Sequence, residues 1–286
     1  MPTPSPLISL GLSHRPFDPD GPVRGFTRTP QVELFCQRVT ALSHRGGFAL
    51  LTGAPGTGKS VALRLLADDL RRSNTEANIA IMERPQASLA DFYRELGHCY
   101  GIRLTPHNRW AGATALRTAW RAAAEAARWR AIVLIDEAQE MQTCVLNEAR
   151  LLNGEPLDAG WLLTVVLVGD DRLLERLRGA DLAPLASRIR VRLRLEEQTD
   201  ACLMAAVQRL AEAAGNPGLF ATGVVETLVE QAAGNFRTLM HLADQVLNHA
   251  LETGAATIDQ RLLLAAAQVD TAAQPPSRRP AQRRAT

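Results

Sequence analysis

Residues 48–60 constrain the fold more tightly than any other part of the chain. Phe48-Ala49-Leu50-Leu51-Thr52 is a short apolar run that reads as a buried strand. Gly53-Ala54-Pro55-Gly56-Thr57-Gly58-Lys59-Ser60 then fills every fixed position of the pattern G-x-x-x-x-G-K-[ST], and Val61–Leu70 follows with helical periodicity. Strand, Gly-rich turn and helix in that order wrap backbone N–H groups and a helix N-terminus around a phosphate. Lys59 is the only lysine in the chain, all other strong bases being arginine. A compact ammonium on a flexible stem can bridge the β- and γ-phosphates inside a tight loop, where a planar guanidinium does not fit. The stretch from Gly53 to Val61 is therefore expected to hold ATP, with the Ser60 hydroxyl as a ligand for Mg²⁺.

The surrounding pattern alternates. A helix is expected over Gln31–Ser43, strands over Ile79–Met82, Ala131–Ile135, Leu162–Val168 and Ile189–Leu195, and helices over Leu89–Tyr100 and Ala113–Trp129. Continuous apolar strands separated by helices point to a parallel sheet buried on both faces. Ile189–Leu195 differs, since its apolar residues alternate with Arg190, Arg192 and Arg194, the signature of a half-exposed edge. After Glu197 only helical patterns remain. The expected fold is α/β, a P-loop NTPase core with a small C-terminal all-α lid. Its divisions are an irregular N-terminal segment (1–30), a nucleotide-binding domain (31–197), a lid (198–270) and an Arg-rich tail (271–286).

Net charge is +2, so composition alone does not announce a nucleic-acid binder. Aromatic residues are 5% of the chain, too few for an extended base-stacking platform. Cys36, Cys99, Cys144 and Cys202 form no C-x-x-C pair and read as reduced thiols. The N-terminus lacks the pattern of a signal peptide, and the strongest apolar run, Trp161–Val168, is too short to span a bilayer. A cytoplasmic protein without membrane attachment is expected.

Asp136 and Glu137 follow the third strand in Ile132-Val133-Leu134-Ile135-Asp136-Glu137-Ala138-Gln139. Carboxylates at the C-terminal end of a central parallel strand lie beside the first phosphate loop. Asp136 suits Mg²⁺, and Glu137 suits polarising the attacking water.

Together the two motifs resemble the AAA+ ATPases. That resemblance implies a ring or helical homo-oligomer with nucleotide at subunit interfaces and an arginine supplied by the neighbour. Ser187-Arg188 is similar to the family's interface arginine, with Arg190 as the fallback. Gly234-Asn235-Phe236-Arg237 resembles its second sensor, which implies that Arg237 contacts the γ-phosphate. One departure stands out: the fourth strand ends in a neutral polar sensor residue in the family, whereas here Val166-Leu167-Val168-Gly169 runs into Asp170.

His14-Arg15-Pro16-Phe17-Asp18-Pro19, Asp136-Glu137-Ala138-Gln139, Val166-Leu167-Val168-Gly169 and Leu185-Ala186-Ser187-Arg188-Ile189 occur together here, a combination that resembles the bacterial group of transposon-helper ATPases (TniB- and TnsC-like) and secretion ATPases (ExeA-like). The chain shows neither the membrane span nor the wall-binding region of the secretion relatives, which favours the helper reading. That reading implies assembly on duplex DNA and regulation of a transposase. The alternatives are an ATPase of a type II secretion or envelope assembly and a slowly hydrolysing, nucleotide-gated scaffold. Arg109, in the loop Arg103–Trp110, and Arg84, just after the second strand, are the candidate sequence-independent DNA contacts.

Overall fold

The computed structural model describes residues 6–73, 78–82, 88–104, 108–126, 130–154 and 160–273. In chain order the elements are α1 (Pro6–Ser9), α2 (Pro30–Ser43), β1 (Gly47–Gly53), α3 (Lys59–Ser73), β2 (Asn78–Met82), α4 (Leu89–Tyr100) and α5 (Arg109–Glu125). They continue with β3 (Ala131–Ile135), α6 (Thr143–Asn153), β4 (Leu163–Gly169), α7 (Asp171–Arg178), α8 (Ala183–Ala186) and β5 (Ile189–Leu195). The last four are α9 (Asp200–Ala213), α10 (Val224–Ala232), α11 (Phe236–Thr253) and α12 (Gln260–Ala273). Two compact units result. One is Phe26–Thr199 with Asn235–Arg237; the other joins the described residues before Phe26 to Asp200–Gly234 and those from Thr238 onward.

The first unit is a five-stranded parallel sheet in the order β2-β3-β4-β1-β5. Its central strands are buried along their whole length, so both faces must be apolar. Alternation sorts them: Phe48, Leu50, Val133, Ile135, Val165 and Leu167 join Phe92, Leu96, Leu116 and Trp120 in one core cluster. Helices α2 and α3 pack against β1 and β4, burying Phe35, Val39, Leu65 and Leu66. The edge strand β5 buries only its end residues, Ile189 and Leu195, and exposes Arg190, Arg192 and Arg194, as its alternation predicts. Charged side chains on an edge also discourage pairing with another strand.

The expected α5 begins one turn too late. Its cap is Asn108, whose side chain accepts from the Ala111 N–H at 3.0 Å, so Arg109 and Trp110 form the first turn of a helix rather than part of a loop. Arg109 is not a free surface base. It makes a two-pronged ion pair with Glu148 of α6, whose side chain is only 4% exposed and also accepts from Tyr93 Oη at 2.6 Å. Its neighbour Trp110 is 77% exposed, and so does not anchor the chain to the core. Helices α6 and α7 were missed outright, although Asp170 ahead of α7 is a plain N-cap signal.

The second unit is helical, with α9, α10 and α11 contributing Leu203, Val207, Leu228, Val229, Leu239 and Leu247 to its buried interior. The N-terminal segment, expected to be irregular, packs into it. Leu10, Leu12 and Phe17 are buried, Ser13 N donates to Ala214 O at 2.7 Å, and Arg15 pairs with Asp244 at 2.7 Å. Its lack of periodicity hid this, because isolated anchors leave no repeating pattern. No helix among the described residues is long and apolar enough to cross a membrane.

Two outcomes follow from this packing. Arg109→Ala leaves the Glu148 carboxylate buried without its counter-charge, and urea unfolding of the sheet unit should show a loss of about 2 kcal/mol. Among the cysteines, burial and the nearby Asp69 carboxylate push the Cys36 thiol up to about 12, whereas Cys144 is exposed. Because the thiolate is the nucleophile, iodoacetamide at neutral pH should label Cys144 readily and leave Cys36 unmodified until the protein unfolds, as read by peptide mass spectrometry.

Candidate active site

The parallel sheet puts three chain reversals side by side. Strand β4 lies between β3 and β1, so the segments leaving their C-terminal ends, Asp136–Glu137, Asp170 and the loop from Gly53, share one edge of the sheet.

The loop is shaped by its glycines and by Lys59. Gly56 and Gly58 hold φ of 84° and 99°, a region that side-chain-bearing residues avoid. Lys59 opens α3 and is 9% exposed. Its ammonium donates to Gly53 O at 2.9 Å and Ala54 O at 3.0 Å, folding back across the loop. Burial lowers its pKa, while Glu137, Asp136 and Asp170 act in the opposite direction and Arg237 adds to the lowering. These four charged groups therefore lie within electrostatic reach of one ammonium. The Thr57 hydroxyl donates to Ala54 O at 2.8 Å, and the helical bond from Ala62 N to Gly58 O starts the helix immediately after the loop.

Ser60 and Asp136 come together across β4: the hydroxyl donates to the carboxylate at 3.3 Å. Burial pushes the Asp136 carboxyl up and the Glu137 charge adds to this; the Glu137 N–H, the Ser60 hydroxyl and Lys59 pull it back. A hydroxyl and a carboxylate oxygen this close are the hard donor pair that suits Mg²⁺, so the residues present fit that ion. Glu137 has a left-handed backbone, φ 51° and ψ 37°, and donates its N–H to Asp136 Oδ1 at 2.9 Å. Such a conformation costs on the order of 1 kcal/mol in a residue with a side chain.

Asn235–Arg237 close over the loop. Phe236 N donates to Gly56 O at 3.0 Å, and Asn235 Nδ2 donates to Pro55 O at 3.0 Å. A Cβ on Gly56 would collide with the Asn235 amide at 2.1 Å, a second reason for glycine there. Asn235 Oδ1 accepts from Arg237 N at 2.9 Å, which caps the start of α11 and leaves the Arg237 side chain exposed.

The remaining sequence expectations fare differently. Arg188 is half-buried, donates to Pro184 O at 2.9 Å and has its guanidinium 5.8 Å from the Trp161 ring centre. Arg190 is exposed on β5. Arg84 lies outside the described residues, and Arg109 is committed to Glu148. Asp170 does not present a free carboxylate to the loop: it caps α7 and pairs with Arg172 at 2.8 Å. Gln139, which sequence reasoning passed over, is buried against Glu137 and Asp170. Its place two residues after Glu137 was the available signal.

Comparison with known proteins agrees with this geometry. Residues 42–177 match the family model described as an AAA domain. General secretion pathway protein A of Aeromonas hydrophila is 32% identical over 251 residues, 86% of this chain but 45% of the relative. The chain thus spans less than half the length of that relative. Among solved structures, the Aeropyrum pernix ORC2 protein aligns with a TM-score of 0.75 at 16% identity, covering 93% of this chain and 74% of its own. The Aeropyrum pernix ORC1 protein in complex with DNA gives 0.66 at 20% identity, over 89% and 68%. The Thermotoga maritima RuvB Holliday junction branch migration motor gives 0.58 at 16%, over 83% and 66%. At these identities the solved structures speak to the fold, which is that of a P-loop AAA+ domain with C-terminal helices.

Lys59→Ala removes the ammonium while leaving the glycines in place. Titration with a fluorescent ATP analogue should show affinity lower by on the order of 10²-fold, with the far-UV circular dichroism spectrum unchanged.

Proposed function

We propose that this AAA+ ATPase domain hydrolyses ATP with Mg²⁺ and uses its nucleotide state to assemble on duplex DNA and regulate a transposase. The observation that carries the hydrolytic part is the convergence of Lys59, the Ser60–Asp136 pair and Glu137 at one edge of the sheet. The loop from Gly53 to Val61 holds the triphosphate through its N–H groups, and Lys59 turns from its carbonyl partners to the β- and γ-phosphates. Ser60 and Asp136 would hold Mg²⁺, which would supply charge neutralisation to the triphosphate. Glu137 accepts a proton from the attacking water.

In this reading Arg237 contacts the γ-phosphate. It lies close enough to Lys59 to act on its pKa and begins the helix that runs on into the helical unit. A phosphate contact there would be transmitted along α11. Arg188 is the trans-acting finger in this reading, completing a neighbouring subunit's site in a ring or helix. Leaving Pro184 O and the Trp161 ring is the cost of that engagement.

The DNA-directed part draws support from the resemblance to transposon-helper ATPases, from the DNA-bound state of the Aeropyrum pernix ORC1 neighbour and from the exposed arginines of β5. Phosphate contacts would make binding insensitive to sequence and steeply dependent on salt. Arg84 stays a candidate contact; Arg109 would have to abandon the buried Glu148, whereas on β5 Arg192 and Arg194 would leave only the Ala186 carbonyl and the exposed Asp171. A second reading, service to a secretion or envelope assembly, has a specific observation in its favour: the 32% identity to the Aeromonas hydrophila secretion protein.

Binding to a labelled duplex with ATP, with a non-hydrolysable analogue and without nucleotide separates the two. The DNA reading expects nucleotide-dependent binding that falls steeply with salt. No binding in any nucleotide state, with turnover intact, would transfer the assignment to the secretion-type reading. In the same preparation, Arg188→Ala should bind ATP yet lose turnover, and mixing it with Glu137→Gln should restore part of the activity. Absence of rescue would remove Arg188 as a finger acting between subunits.

A further inference from the structure

The strand that ends between the phosphate loop and Asp136 carries no neutral polar side chain at its end, because Gly169 passes directly into Asp170. The Asp170 carboxylate is turned to α7. It accepts from Arg172 N at 2.9 Å and Arg172 Nε at 2.8 Å, and Arg172 Nη2 also pairs with Glu140 at 2.6 Å. What Asp170 offers toward Glu137 is its backbone: the N–H donates to Gln139 Oε1 at 3.2 Å. The other end of the same amide, Gln139 Nε2, donates to Glu137 Oε2.

This amide has one orientation that satisfies both neighbours, oxygen to the N–H and nitrogen to the carboxylate. Its surroundings hold it there. Gln139 is 6% exposed, its backbone O accepts from Arg176 Nη1, and Arg176 Nη2 donates to Thr143 Oγ1 at 3.2 Å. Gly169 supplies the room, since a Cβ at that position would lie 2.5 Å from Gln139 Oε1. A buried amide with both ends bonded is a rigid spacer between two chain segments.

We infer that Gln139 is the positioning residue for hydrolysis at this site, orienting the Glu137 carboxylate and tying it to the start of α7. The neutral polar group missing from the end of β4 is supplied by the segment after β3 instead. Gln139 acts through Glu137 and does not touch the reacting atoms. The inference rests on the reading of Glu137 as the group that polarises water.

The test compares Gln139→Met, which keeps the length but loses both hydrogen bonds, with Gln139→Glu, which keeps the acceptor and loses the donor. Both should lower kcat by about tenfold or more, the effect of a loosened reacting group. KM for ATP and affinity for ADP should not change. In a Glu137→Ala background, single-turnover rates should show no further loss from either substitution. Wild-type kcat in both variants, or a loss that multiplies with Glu137→Ala, would overturn the inference. A readout independent of turnover is the Gln139 side-chain NH₂ resonance pair, measured by ¹⁵N–¹H NMR in the wild type and in Glu137→Ala. It should move upfield when its acceptor is removed, and an unmoved pair would also overturn the inference. A wild-type protein that binds ATP without turning it over, yet shows this shift, would sink the hydrolytic reading and leave the Gln139 contact standing.

Discussion

Burying an ammonium in a folded chain is costly unless its protons find acceptors. Lys59 meets this condition at 9% exposure by reaching back to Gly53 O and Ala54 O. The rest of the site is arranged around that choice. The loop must curl tightly enough to bring its own carbonyls to Nζ, which requires glycines at positive φ. Burial depresses the lysine's pKa, and three carboxylates from the ends of β3 and β4 only partly counter it. A polyphosphate would offer the same ammonium stronger partners, so the carbonyl contacts are exchangeable rather than permanent.

The parallel sheet makes this arrangement possible without long loops. With β4 between β3 and β1, one edge collects a phosphate loop, a pair of acids and the start of α7. Each arrives directly from a strand buried on both faces, which fixes its position. Asp170 shows how local capping chemistry serves the site. A carboxylate there adds to the negative charge near Lys59, yet bonds from the Arg172 N–H and guanidinium turn it toward α7. The position is satisfied structurally, and the polar contact passes to Gln139 through the backbone.

Much of this was legible in the sequence because it depends on local rules. The phosphate loop, the apolar strands, the arginine alternation of β5 and the start of α11 at Phe236 are each set by residues a few positions apart. What stayed hidden depends on contacts between distant segments. Arg109 read as a surface base because nothing nearby revealed Glu148, thirty-nine positions later. The N-terminal anchors Leu10, Leu12 and Phe17 have no periodicity, so their burial among the later helices left no trace. Gln139 was overlooked for the same reason: its partner Asp170 follows another strand, thirty-one positions later. The start of α5 was a local miss, since Asn108 is an ordinary capping residue outweighed by the turn-like composition around it.

The central claim is that this edge of the sheet binds ATP through Lys59 and hydrolyses it through Glu137. The most direct measurement is ATP affinity and turnover of Glu137→Gln beside the wild type. The account predicts wild-type affinity with turnover reduced by on the order of 10²-fold or more. Retained turnover, or a loss explained by failure to bind ATP, would contradict it.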